Sequence, residues 1–308
     1  MASGLLRRAA GAGPLARLLR LQGHAPVEST TRHGLHPLVV PIARSTSGDT
    51  YGLLRWPLTE PEAPVNVVVQ SAANGSAGLS LRPRGTIAQY ARRAAVEVDA
   101  AGASNASGLE IMEAAADATV EAGARPYEAG ELEASRLKAV QFLLMRVGPF
   151  VDMWDTIAHS QLEKGDETAA LVAGERASAL NPGWGCCLYL QSQLMTTLKR
   201  PDEARDLALG ALELPWWTLG APLRDVLAAA QLSHIEDLRA LVRSMEDKVR
   251  EQQNAPPRTA SELAMMRAMD ALDEVVRTEA EWDGVRQTVA EALGEAGYDD
   301  DAAIARGD

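Results

Sequence analysis

Apolar positions recur three and four residues apart through most of residues 85–296, the spacing that lines one face of a helix. Leu137, Val140, Leu144 and Val147 form one stripe, which Gly148-Pro149 stops. Ile235, Leu238, Val242, Met245 and Val249 form a narrow seam. After a break at Pro256-Pro257 come Met265, Met266, Met269, Leu272 and Val276, then Trp282, Val285, Val289 and Leu293. Four capping boxes mark helix starts: Thr86 with Gln89, Ser107 with Glu110, Ser233 with Glu236, and Thr259 with Glu262. A period of two shows at Val65, Val67 and Val69, and Asn74-Gly75 then leads to Leu79 and Leu81, which predicts a small β-hairpin. A lone hairpin is marginal, so it must lie on the helical body. Pro57, Pro61 and Pro64 make residues 45–63 irregular.

Between residues 151 and 218 the chain repeats itself with a period of 34: Ala170, Ala177 and Leu180 recur as Ala204, Ala211 and Leu214. In that frame Trp154 precedes small Ala158, and Ser192 takes the place of Ala158 one period later. Small residues at these points let two helices approach closely, and Trp154 fills the gap against the next pair. The run MWDTIAHSQLEKGDETAALVAGERASALNP resembles the tetratricopeptide (TPR) family, with Gln161, Gly174 and Leu188 departing from the family's large aromatics. The resemblance implies an all-α fold, an antiparallel, right-handed stack of helix pairs in a TPR-like α-solenoid. Trp154, Ala158, Ala170, Ala177, Ser192, Ala204 and Ala211 are then its packing residues.

Residues 1–44 hold six Arg, no Lys and one acid, Glu28, with Leu15, Leu18 and Leu19 on one helical face. That composition predicts an organelle transit peptide, cleaved between residues 30 and 50. The remainder carries 24 basic against 41 acidic residues, a net of −17, which disfavours nucleic acid and favours basic partners. No apolar run reaches the length of a membrane span. The stretch YGLLRWPLTEPEAPVNVVVQ, residues 51–70, resembles the start of the mature domain in plant and algal plastid proteins with TPR-like helices. This implies the chloroplast stroma, with the mitochondrial matrix as the alternative.

Candidate chemistry is sparse. Cys186-Cys187 lacks the CxxC spacing of a redox pair, and packing one thiol inside is the better reading. His24, His33 and His36 fall in the expected leader, leaving His159 and His234 far apart, and no metal-site spacing is present. The chain has no P-loop and no GxSxG. Trp216-Trp217 after Pro215 reads first as packing on the next helix and second as a partner contact. No catalytic residue, cofactor or metal is expected.

The expected layout is a leader at 1–44, an irregular segment with the hairpin at 45–84, a TPR-like helical domain at 85–250, a helical pair at 259–296, and a solvated acidic tail at 297–308. The expected function is a non-enzymatic protein-binding scaffold or assembly factor of an organelle. Its client would offer a basic or amphipathic segment. The alternative is a structural subunit of an organellar complex such as a ribosome or a respiratory or photosynthetic assembly.

Overall fold

Adjacent residues Val39 and Val40 are both buried, yet they face different cores, because successive strand residues point to opposite faces of a sheet. The computed structural model describes residues 13–28, 30, 32–55, 66–72, 80–103, 105–233, 247–248, 250–251 and 256–307. Its centre is a five-stranded antiparallel sheet, in order β1 (Ala25–Pro26), β2 (Val39–Arg44), β3 (Thr50–Arg55), β4 (Asn66–Ser71) and β5 (Leu81–Thr86). One face, with Val40, Ile42, Leu53 and Val68, joins a core shared with α1 (Pro14–Leu21), α2 (Ile87–Ala100) and α3 (Ala106–Glu121). The other, with Val39, Leu54, Val69 and Leu81, joins a core containing Trp216, Trp217 and Trp282.

The sheet corrects two expectations. The fold is mostly helical but not all-α, and the expected hairpin is the last part of a larger sheet. β4 and β5 do pair antiparallel, while the Asn74-Gly75 turn lies outside the described residues. β3 occupies part of the stretch expected to be irregular.

The described residues of the expected 1–44 leader pack against the rest of the chain. Pro14 opens α1, where its missing N–H costs nothing. Leu15, Leu18 and Leu19 are fully buried, and Arg17 pairs with Glu113 of α3 at 2.7 Å. Residues 14–28 and 32–44 therefore belong to the folded body in this structure. Within the same stretch His36 is buried between Trp217 and Trp282, with ring centroids 4.5 and 4.7 Å away.

The caps at Thr86 and Thr259 form as reciprocal boxes. At the third site the cap is Asn105, whose side chain accepts from the Gly108 N–H, and not Ser107. The Ser233 box and the seam from Ile235 to Val249 lie outside the described residues apart from Ser233 itself. The 137–147 stripe is interrupted: after α4 (Glu131–Ser135), α5 is only Ala139–Phe142, and a π turn, Leu143–Val147, follows. Phe142 and Leu143 are buried and Val140 is exposed.

Four helices come next: α6 (Val151–Glu163), α7 (Glu167–Leu180), α8 (Gly185–Thr197) and α9 (Pro201–Glu213). Their starts keep a period of 34, Val151 to Gly185 and Glu167 to Pro201. The links match too. Gly165 and Lys199, also 34 apart, both take left-handed φ, +77° and +59°. Each sits in the same turn, with Asp166 N–H donating to the Gln161 carbonyl and Arg200 N–H to that of Met195, both at 2.9 Å. α2 and α3 share a core with the sheet, which Met153 at the start of α6 also enters.

After α10 (Leu223–Ala229), α11 (Ala260–Thr278) and α12 (Arg286–Glu295) make the C-terminal pair. The expected acidic tail is helix α13 (Asp299–Arg306), with Asp301, Ala302, Ile304 and Ala305 buried. Acids in the first turn of a helix are favoured by its positive end, and the Ala-rich turn behind them packs inward. Asp301 Oδ1 meets Arg55 Nε at 2.9 Å, at an angle that makes an ion pair without a hydrogen bond. Burial pushes Asp301 up to about 6, Arg55 pulling the other way and Asp300 adding to the rise.

Candidate functional site

The groove with the most chemistry opens where the free edge of the sheet meets the helix pairs. Among the described residues β5 pairs only with β4, and Pro83, which has no N–H to offer a ladder, sits opposite Val69. α6 begins just past Gly148-Pro149 and carries Asp152 in its first turn. α8 begins at Gly185, where a Cβ would stand 2.8 Å from the Leu219 side chain, so glycine lets the loop at 219–221 close over the helix start. Between these elements lies a cavity of about 230 Å³ lined by Arg82, Arg84, Asp155, Cys186, Tyr189 and Gln193 among others.

Asp152 ties the sheet side to the helix side. Arg84 Nη1 donates to its Oδ2 and Arg93 Nη1 to its Oδ1, each at 2.9 Å. Arg84 also donates to Gln70, and Arg93 to Glu97 at 2.8 Å while lying 5.0 Å over the Phe150 ring. Burial opposes the charge on Asp152, but the Arg93 hydrogen bond and the charges of Arg93 and Arg84 outweigh it and hold the carboxyl below its ordinary range. Burial opposes the charge on Arg93 too, and Asp152 and Glu97 more than compensate, so it stays a guanidinium.

The 34-residue register sets the helix wall. Asp152 and Cys186, Asp155 and Tyr189, and His159 and Gln193 are equivalent pairs, and all but His159 line the cavity. Burial raises the Tyr189 hydroxyl, Asp225 adds to the rise, and Gln193 opposes it. Both cysteines are free thiols. Cys187 is buried and is pushed up first by its hydrogen bond with Cys186 and then by burial, whereas Cys186 looks into the groove.

The residues expected at repeat contacts lie away from the groove. Trp154, Ala158 and Ala177 cluster with Ala173 and Leu194 across the helix pairs, and Ala170, Ala204 and Ala211 are buried. Ser192 is buried and donates to the Ala204 carbonyl at 2.7 Å. Trp216 and Trp217, at 1% and 0% exposed, are core residues, in line with packing and against the second reading of a partner contact. The Trp216 indole donates to the Leu212 carbonyl, and its amide donates to Asp273 at 2.7 Å.

Sequence reasoning missed Arg84 and Arg93, whose role depends on a carboxylate 68 and 59 residues away. One cluster of metal-ligating type occurs among the described residues, His33, Glu281 and Asp283. It is surface-exposed, and Asp283 is already answered by Arg286 Nε at 2.9 Å and the Gly34 N–H at 3.1 Å. No helix among the described residues is long and apolar enough to cross a membrane.

Residues 6–147 match the family model PAB N-terminal, and residues 151–236 match PAB middle domain. The boundary falls at the Gly148-Pro149 break before α6. The first match covers the sheet with α1–α3, and the second covers the two helix pairs. A protein of Arabidopsis thaliana named Protein IN CHLOROPLAST ATPASE BIOGENESIS, chloroplastic, is 29% identical over 288 residues, spanning 92% of this chain and 82% of its own. No solved structure matches. The two domain matches follow one another in chain order.

Proposed function

We propose that the chain is a non-enzymatic assembly factor for the plastid ATPase, acting in the stroma by holding a segment of a client protein. The observation that carries this reading is the similarity, over nearly the whole chain, to a relative named for chloroplast ATPase biogenesis. The groove supports it physically, since its side chains supply hydrogen bonds, charge and apolar wall for a bound chain segment. The 34-residue register of α6–α9 and their links supports a TPR-like stack as the scaffold, with its first helices presented to the groove. A net charge of −12 favours a basic or amphipathic client segment.

The test is removal of the protein from its native host, with immunoblots of assembled plastid ATPase. The expected result is loss of the assembled enzyme with its transcripts intact, restored by reintroducing the chain. Normal ATPase levels without the chain would sink the reading.

A further inference from the structure

The groove is uneven in what it lacks. Its cations already have acceptors: Arg84 is engaged by Gln70 and Asp152, and Arg82 donates to the Gly220 carbonyl at 3.2 Å. Its acid Asp155 is short of a hydrogen bond on one oxygen. Asp155 Oδ1 is buried in the lining and receives no hydrogen bond, while the side chain as a whole is half exposed. The nearest donor is His159 Nδ1, 2.8 Å from Oδ1 and 3.0 Å from the Asp155 main-chain carbonyl. That nitrogen carries at most one hydrogen, and its bond runs to the carbonyl.

A carboxylate oxygen withdrawn from water without a donor is costly, and an ammonium or guanidinium is the donor that relieves it best. One period along, Tyr189 lines the same wall, and an aromatic ring is a second favourable neighbour for a cation. An added strand at the free sheet edge fits less well, because Pro83 interrupts the row of donors on β5.

Resting on the assembly reading above, we infer that the groove between β5, α6 and α8 docks a client segment through a Lys or Arg side chain placed on Asp155 beside Tyr189. The cation completes the coordination of Asp155, and Val151, Leu190 and Leu219 take the apolar part of the segment. Recognition then needs a base on the client and is weakened by salt.

The experiment uses the full-length protein and short overlapping peptides covering the subunits of the chloroplast ATPase, with affinities read by fluorescence anisotropy. Bound peptides are expected to share a Lys or Arg whose replacement by Gln weakens binding about tenfold, the loss of one charge-assisted hydrogen bond. Asp155→Asn should weaken binding to the same degree, and combining the two changes should add little. Asp206→Asn, on the exposed side of α9, should leave affinity unchanged. The peptide substitution needs no protein variant, so the inference stays testable if Asp155→Asn misfolds. It is overturned if bound peptides lack a base, if the base can be replaced within twofold, or if no subunit peptide binds. Should Asp155→Asn restore ATPase assembly in the host while peptide binding fails these tests, the groove inference falls and the assembly function stands. If assembly never required the chain, both fall.

Discussion

Arg84 on the last strand of the sheet donates to Asp152 in the first turn of α6, at 2.9 Å across the boundary between the two matched domains. Asp152 also receives Arg93, so one carboxylate answers two guanidiniums. Because its carboxyl is held below the ordinary range, its stabilising effect is present at neutral pH and is lost as pH falls through the lowered value. Asp152→Asn is expected to cost about 1 kcal/mol at pH 7, a modest figure because the carboxylate is partly exposed. The difference from wild type should shrink on acidification. Denaturant titrations of both proteins across pH check this, and a pH-independent difference would deny the ionic role.

The close helix crossings give a second expectation. Ala170 and Ala204 are buried at equivalent places, 0% and 4% exposed. Replacing either with Leu overpacks the crossing and should cost about 1–3 kcal/mol. Thermal melts read it, and unchanged midpoints in both variants would mean that these sites have slack.

Lys199 occupies a left-handed turn that its counterpart one period earlier fills with Gly165. A side chain is strained there and glycine is not. Lys199→Gly should therefore stabilise by about 1 kcal/mol, and Gly165→Lys should destabilise by a similar amount. Equal stability of all three proteins would show that the links are not strained.

His36 governs an acid limb. Burial, then the charge of Arg286, lowers its imidazole to about 3 from an ordinary value of 6.5. The folded state keeps the ring neutral where the unfolded chain protonates it. Stability should therefore fall as pH drops from 6.5 toward 3, by up to about 1.4 kcal/mol per pH unit. His36→Phe keeps a ring between Trp217 and Trp282 and should flatten that limb. An unaltered slope in the variant would assign the acid sensitivity elsewhere.

The first 44 residues are the subject of the last expectation. A chain beginning at residue 45 lacks the Leu15, Leu18 and Leu19 cluster and strands β1 and β2. It should show no cooperative unfolding transition. A sharp melt from the truncated chain would show that the first 44 residues are not needed for folding.

How much of this was legible in the sequence depended on whether the signal was local. The caps at Thr86 and Thr259 and the 34-residue period are short-range patterns, and the helices follow them. The strands are different. β2 reads Val-Val-Pro-Ile-Ala and is buried on both faces, which erases the alternation that marks a half-buried strand. β5, with a proline and a glycine in six residues, has little strand character of its own and is held by β4 and α2. For the Arg-rich start, charge counts ignore where the leucines go, and Arg17 has an acidic partner 96 residues on. The groove was invisible for the same reason: Arg84, Asp152 and Tyr189 are joined only by the tertiary fold.

A sheet shared by two cores also imposes an order of events on a chain that emerges from its N-terminus. The side of the sheet facing α1, α2 and α3 is covered mostly by residues that precede α6, with Phe150, Met153 and Ile304 added later. Leu38, Val39, Leu54, Val69 and Leu81 on the other side stay wet until the end of α9 and then Trp216, Trp217 and Trp282 arrive, more than 120 residues after β5 in sequence. The protein spends its early life with an uncovered oily flank, and its last helices act as the lid that ends that exposure.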